Sequence, residues 1–216
     1  MGTAHSVSQA SPPPRQSVSG GWHASASAKR PSSYNGQDAA LWRKHVVEVF
    51  PGLWLGSREA ACNLWLLRQL GVRACVNVTQ EDNIHPDQFR YMHINVTDER
   101  ETDLRAYFEA TAAWVGPHLT AGRVVLVYCQ AGVSRSSTMV LALLLHLRSM
   151  SLVEAWTHLK RLRPAIRPNA GFCQQLCEHE RALRGYNTAA VDTRSRGGLV
   201  PASDRPSEAL VSHRVI

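Results

Sequence analysis

No apolar run in this 216-residue chain approaches the roughly twenty residues a helix needs to cross a bilayer. The amino-terminal stretch also lacks even the roughly seven-residue apolar core of a secretory leader. Both absences predict a cytoplasmic protein, with the nucleus also open. Cysteine is scarce, five in all, and in that setting reduced thiols are expected rather than a disulfide framework. None of the ten histidines stands at metal-ligand spacing. Cys62, Cys75, Cys173 and Cys177 therefore read as small core or helix-surface residues, and no metal or other cofactor is implied. A dominant charged block is missing too, because the net charge of +7 is spread over the chain. The one basic cluster, Lys160, Arg161, Arg163 and Arg167, borders a predicted helix end, where cations satisfy carbonyls and the dipole. That distribution argues against nucleic acid as a partner.

With 44% hydrophobic residues the chain can bury one good core. Residues 1–40 and 185–216 are poor in bulky apolar residues and cannot offset ordering entropy, so both are expected to be disordered tails around a folded unit at 41–184. The amino terminus, MGTAHS, fits the short pattern for myristoylation of Gly2. A single acyl chain binds membranes only marginally, so membrane contact is expected only if that modification occurs.

The most informative run is VVLVYCQAGVSRSST, residues 124–138. A short β-branched strand ends at Cys129, a loop follows with Gly132 and Arg135, and an apolar helix begins. Backbone amides of Gln130, Ala131, Gly132, Val133, Ser134 and Arg135 can curl around a tetrahedral oxyanion at the positive end of that helix. Arg135 adds a planar fork for two phosphate oxygens. The same field favours the thiolate of Cys129, and Ser136 can donate its hydroxyl to the sulfur when it must leave. Spacing alone would not distinguish this site, because Cys62 and Arg68 repeat it. That pair lies in a predicted helix from a Ser57 N-cap to Gly71, where positions six apart face nearly opposite ways.

Strands are predicted at 46–50, 53–55, 73–78, 91–96 and 124–128, and helices at 57–70, 104–120, 136–149, 152–163 and 170–183. Ser151 and Glu154 form a capping-box pattern, and Asn169 can cap the last helix. The alternation predicts an α/β fold, a mainly parallel twisted sheet flanked by helices, with the cysteine loop between a strand and a helix. Asn77 is read as a tie for loop backbone. Trp54, Trp65, Tyr107, Phe108, Trp114 and Trp156 are read as packing residues.

The chain resembles the small atypical members of the dual-specificity branch of cysteine-based protein phosphatases. The likeness rests on VFPGLWLGS (49–57), GVRACVNVT (71–79), Asp98 with DLRAYF (103–108), CQAGVSRSST (129–138), MSLVEA (150–155) and RPAIRPNAGFCQQL (163–176), all in family order. It implies metal-independent hydrolysis of phosphotyrosine and phosphoserine/threonine on proteins, through a phosphocysteine on Cys129. It also implies an acid that protonates the leaving oxygen. Asp98 fits by its place before DLRAYF, while Glu99, Glu101 and Asp103 compete as ordinary caps or dipole partners. Phosphoproteins are the implied substrates, with protein kinases among the partners, and a basic rim would steer acidic phosphopeptides. One departure stands beside the nucleophile: the family usually has His there and this chain has Tyr128. The resemblance therefore leaves a second reading, a weakly active or inactive phosphate-binding module that shields phosphoproteins.

Overall fold

The computed structural model describes residues 45–193 and 198–202. Gly2, the expected tail at 1–40 and residues 203–216 lie outside the described residues.

Five strands form one sheet: β1 (Val46–Phe50), β2 (Leu53–Ser57), β3 (Val72–Asn77), β4 (Arg90–His93) and β5 (Val124–Cys129). Their order is β1-β2-β5-β3-β4. Within this sheet only the β1–β2 pair is antiparallel, so the mainly parallel sheet expected from alternating strands and helices is found. β5 lies between β2 and β3, which explains its continuous apolar run: a strand hydrogen-bonded on both sides and covered on both faces needs apolar side chains throughout.

Side-chain alternation along β5 divides the interior. Val125, Val127 and Cys129 face the larger core, with α3 (Phe108–Thr120), α4 (Arg135–Arg148), α5 (Leu152–Leu162) and α6 (Ala170–Arg184). Leu126 and Tyr128 face a smaller one, with α1 (Arg58–Cys62) and α2 (Leu64–Gln69). Met139 to Leu145 of α4 are buried on every side, which accounts for their unbroken apolar character. The capping box of Ser151 and Glu154 is present at α5, and Asn169 Oδ1 accepts from the Phe172 amide at 3.0 Å to start α6.

Three expectations are corrected. The helix predicted over 57–70 is two short ones, because Asn63 leaves helical geometry and accepts from the Leu66 amide at 2.9 Å, capping a new helix. Trp65 and Tyr107 are exposed rather than packed inside. Residues 185–202, expected within a disordered tail, contain β6 (Ala189–Val191) and β7 (Leu199–Pro201), paired antiparallel. Ala189 and Leu199 enter the larger core. The buried Glu180 carboxylate holds this hairpin by accepting from the Thr188 amide and hydroxyl, each at 2.7 Å, and from the Leu152 amide at 2.6 Å. Among the described residues no helix is long and apolar enough to cross a membrane.

Candidate active site

Cys129 is the last residue of β5, at its carboxyl end, and is 2% exposed. The loop beyond it is shaped by the direction of its carbonyls. The Gln130 carbonyl accepts from the Arg58 amide at 3.2 Å, and the Val133 carbonyl from the Arg167 amide at 2.8 Å. Between them Arg163 donates from Nε to the Gly132 carbonyl at 2.9 Å and from its terminal nitrogen to the Ala131 carbonyl at 3.1 Å. In a planar trans peptide the carbonyl of one residue opposes the N–H of the next. Four successive carbonyls drawn outward thus turn the amides of Ala131, Gly132, Val133 and Ser134 toward the inside, forming an anion-binding nest at the head of α4.

Gly132 makes this path possible. Its φ is +68°, and a Cβ there would stand 2.7 Å from the Gly56 carbonyl oxygen and 3.0 Å from Arg163. No side chain can be accommodated without moving β2 or the arginine.

The side chains converge on the same point. Ser136, fully buried, donates to the Cys129 sulfur at 3.0 Å. Arg135 is fixed by its bond to the Val96 carbonyl at 3.0 Å, and its Nε lies 3.8 Å from Asp98 Oδ2. Asp98 Oδ1 accepts from Ser134 at 2.6 Å and from Asn169 at 3.0 Å. The structure therefore brings Cys129, Arg135, Ser136 and Asp98 together around the loop of residues 130–135. Of the competing acids, Asp103 accepts from the Ala106 amide at 3.2 Å and serves as a local cap, while Glu99 presents its carbonyl, not its carboxylate, to Asn169. Cys62 and Arg68 stay apart: Arg68 bonds Gln88 at 2.9 Å, and Cys62 receives Arg58 at 3.7 Å. Asn77 behaves as a tie, donating to the Glu81 carbonyl at 2.9 Å.

Two residues matter more than the sequence suggested. Arg163, placed by its neighbours in a helix-end cluster, is 6% exposed and lies under the loop. Burial pulls its pKa down from the guanidinium value, and the nearby Cys129 opposes that shift. Asn169, read as a cap only, also bridges Asp98 and the Ser134 hydroxyl, the latter through its backbone amide at 3.2 Å. Tyr128 points away from Cys129 into the smaller core. It is 1% exposed, and its hydroxyl, near Tyr91, makes no well-formed hydrogen bond.

Comparison with known proteins places this geometry. The family described as "Dual specificity phosphatase, catalytic domain" matches residues 53–182. Human dual specificity protein phosphatase 14 is 34% identical over 157 residues, covering 72% of this chain and 79% of that protein. A Xenopus laevis protein phosphatase Slingshot homolog is 40% identical over 137 residues, which is 63% of this chain but only 20% of that much longer relative. Among solved structures, human DUSP28 superposes with a TM-score of 0.62 at 36% identity, covering 64% of this chain and 95% of that one. A tyrosine-to-histidine variant of that same human protein is similar, at 0.63 and 35%, covering 65% and 97%.

Proposed function

The chain belongs to the dual-specificity protein phosphatases of the cysteine-based superfamily, and on that premise we propose that it hydrolyses phosphotyrosine and phosphoserine/threonine on proteins through a phosphocysteine at Cys129. The observation that carries the proposal is the bond between Asp98 and Ser134, 36 residues apart, which sets a carboxyl group over the loop that begins at Cys129.

In the first step the Cys129 thiolate attacks phosphorus. The bond to the leaving oxygen breaks, and that oxygen takes the proton of Asp98. Oδ1 of Asp98 already accepts two hydrogen bonds, whereas Oδ2 has only Arg135 Nε at 3.8 Å. Oδ2 is accordingly the oxygen that carries the proton. The nest amides and the Arg135 fork hold the three equatorial phosphoryl oxygens. In the second step water attacks phosphorus, its proton passes to Asp98, and the P–S bond breaks. Ser136 donates to the departing thiolate.

The test is phosphate release from a small aryl phosphate and from phosphotyrosyl and phosphothreonyl peptides. Cys129→Ser is expected to abolish turnover, and Asp98→Ala to lower kcat by about 10²- to 10⁴-fold, the usual contribution of a positioned acid. An Asp98→Ala protein as fast as the parent on the phosphopeptides, whose leaving groups need a proton, would remove Asp98 from the mechanism. Tyr128, which stands beside the nucleophile where the family usually has His, supports the second reading, a weakly active or inactive module that shields phosphoproteins. Retained phosphopeptide binding with no phosphate release from the parent would favour it.

A further inference from the structure

The loop that carries Asp98 is fastened to α6 along its whole length, and phosphate binding requires none of these fastenings. At the head of the helix, Asn169 uses Oδ1 as the helix cap, so its side-chain nitrogen is left to donate outward, to Asp98 Oδ1 at 3.0 Å and to the Glu99 carbonyl at 3.3 Å. Within the first turn, Gly171 lies against Arg100 so closely that a Cβ would stand 2.0 Å from its carbonyl oxygen and 2.7 Å from its carbonyl carbon. One turn later, Gln175 Oε1 accepts from the amides of Leu104 and Arg105, both at 2.9 Å, while Nε2 donates to the Thr102 carbonyl at 2.8 Å. Glu178 completes the row with Arg105 at 3.1 Å. The loop is also closed on itself by the hydroxyls of Thr97 and Thr102, 2.6 Å apart.

Gly171, Gln175 and Glu178 lie on one stripe of the helix, four and three residues apart, and Asn169 stands at its cap. Helix geometry fixes their spacing, so the stripe acts as a rigid ruler for the irregular backbone that runs from Asp98 to Arg105. A general acid must sit within hydrogen-bond reach of the leaving oxygen, and a displacement of about 1 Å can cost on the order of a hundredfold in rate. Ser134 and Asn169 both hold Oδ1 and leave Oδ2 for the proton, so they fix which way the carboxyl group faces.

We propose that Asn169 and Gln175 are positioning residues that aim Asp98 at the leaving oxygen, and that α6 is the template for the acid loop. The proposal rests on the catalytic reading given above. Its signature is selectivity for the leaving group. A phenol with strongly withdrawing substituents departs without a proton, whereas an unsubstituted phenol or an alcohol does not, so a misaimed acid harms only the poor leaving groups.

The experiment measures kcat/KM of the full chain on aryl and alkyl phosphates of graded leaving-group basicity. The variants are Asn169→Ser, Gln175→Ala, Asp98→Ala and the double variant Asp98→Ala/Asn169→Ser. Serine is as good an N-cap as asparagine, so Asn169→Ser keeps the helix start while removing the outward donor. For Asn169→Ser and Gln175→Ala, near-parent rates are expected for the best leaving group and losses of about tenfold to a hundredfold for the poorest. The double variant is expected to be no slower than Asp98→Ala alone, because Asn169 acts through Asp98. An equal loss across the whole series, or losses that multiply in the double variant, would overturn the template. A parent that releases phosphate from no ester overturns the catalytic reading itself, and the template with it.

Discussion

Tyr128 shows what a single side chain can do from the wrong side of a sheet. Strand alternation sends Cys129 into one core and Tyr128 into the other, so its effect on catalysis passes through the loop backbone. Its hydroxyl is buried without a well-formed hydrogen bond, and burial, together with Cys75, raises its pKa well above that of an ordinary phenol. The Cys75 thiol, opposite Tyr91 in the sheet, is itself pushed up to about 12 by burial. The group is therefore neutral. Tyr128→His supplies a smaller ring with two nitrogens in place of the phenol and is expected to raise turnover or move the acid limb of the pH–rate profile. A variant with an unchanged profile would separate residue 128 from catalysis. Cys129, Arg135 and Ser136 were legible in the sequence because loop chemistry is written in consecutive positions. Arg163 was not. The rule that basic residues near a helix end satisfy carbonyls held for it, but the carbonyls belong to Ala131 and Gly132, about thirty residues earlier, which no local pattern reveals.

Elements were most legible where one local signal dominated, as in β5, in α4 and at the capping box of α5. They were least legible where two signals competed. Over 57–70 the apolar periodicity of a helix outweighed Asn63, yet its side chain could offer the next amide a cap and split the helix. In the element from Cys129 to α4 the glycine signal is decisive. Gly132 has φ +68° and faces the Gly56 carbonyl oxygen, 2.7 Å from where a Cβ would be. Gly132→Ala thus adds backbone strain of about 1–3 kcal/mol and a clash that pushes the loop off β2 or displaces Arg163. Either shift moves the inward-facing amides, so phosphate release is expected to fall by at least about a hundredfold, with a lower Tm measured calorimetrically. A variant whose Tm drops while kcat/KM on an aryl phosphate stays at the parent value would show that the nest does not depend on this approach.

At the scale of the whole molecule, the helix that ends the phosphate loop and the helix that holds the acid loop are joined by two histidines. His146 of α4 and His179 of α6 meet nitrogen to nitrogen at 2.7 Å, with Phe108 edge-on to His179. Such a bond needs one ring to donate and the other to accept. A fully protonated pair would set two N–H groups against each other. Burial lowers the pKa of His146, opposed by Glu109. Burial, His146 and Arg105 together hold His179 down to about 4, again with Glu109 opposing. None of this could be read from the sequence, because 33 residues separate the pair. The β6–β7 hairpin was hidden in a different way: its few apolar residues dock on a core built elsewhere. A histidine kept neutral by the fold binds fewer protons folded than unfolded, so its contribution is constant above the unfolded value near 6.5. Stability is then lost as pH falls from there toward about 4. Between pH 6.5 and pH 5 most carboxylates are still ionised, and this loss should dominate over theirs. His118, shifted the same way by its own burial, adds a smaller background. Denaturant unfolding of the parent is therefore expected to show a clear drop in stability from pH 7 to pH 5, and His179→Gln a distinctly shallower one. Equal slopes in the two proteins would mean that the pair does not take up the proton on unfolding.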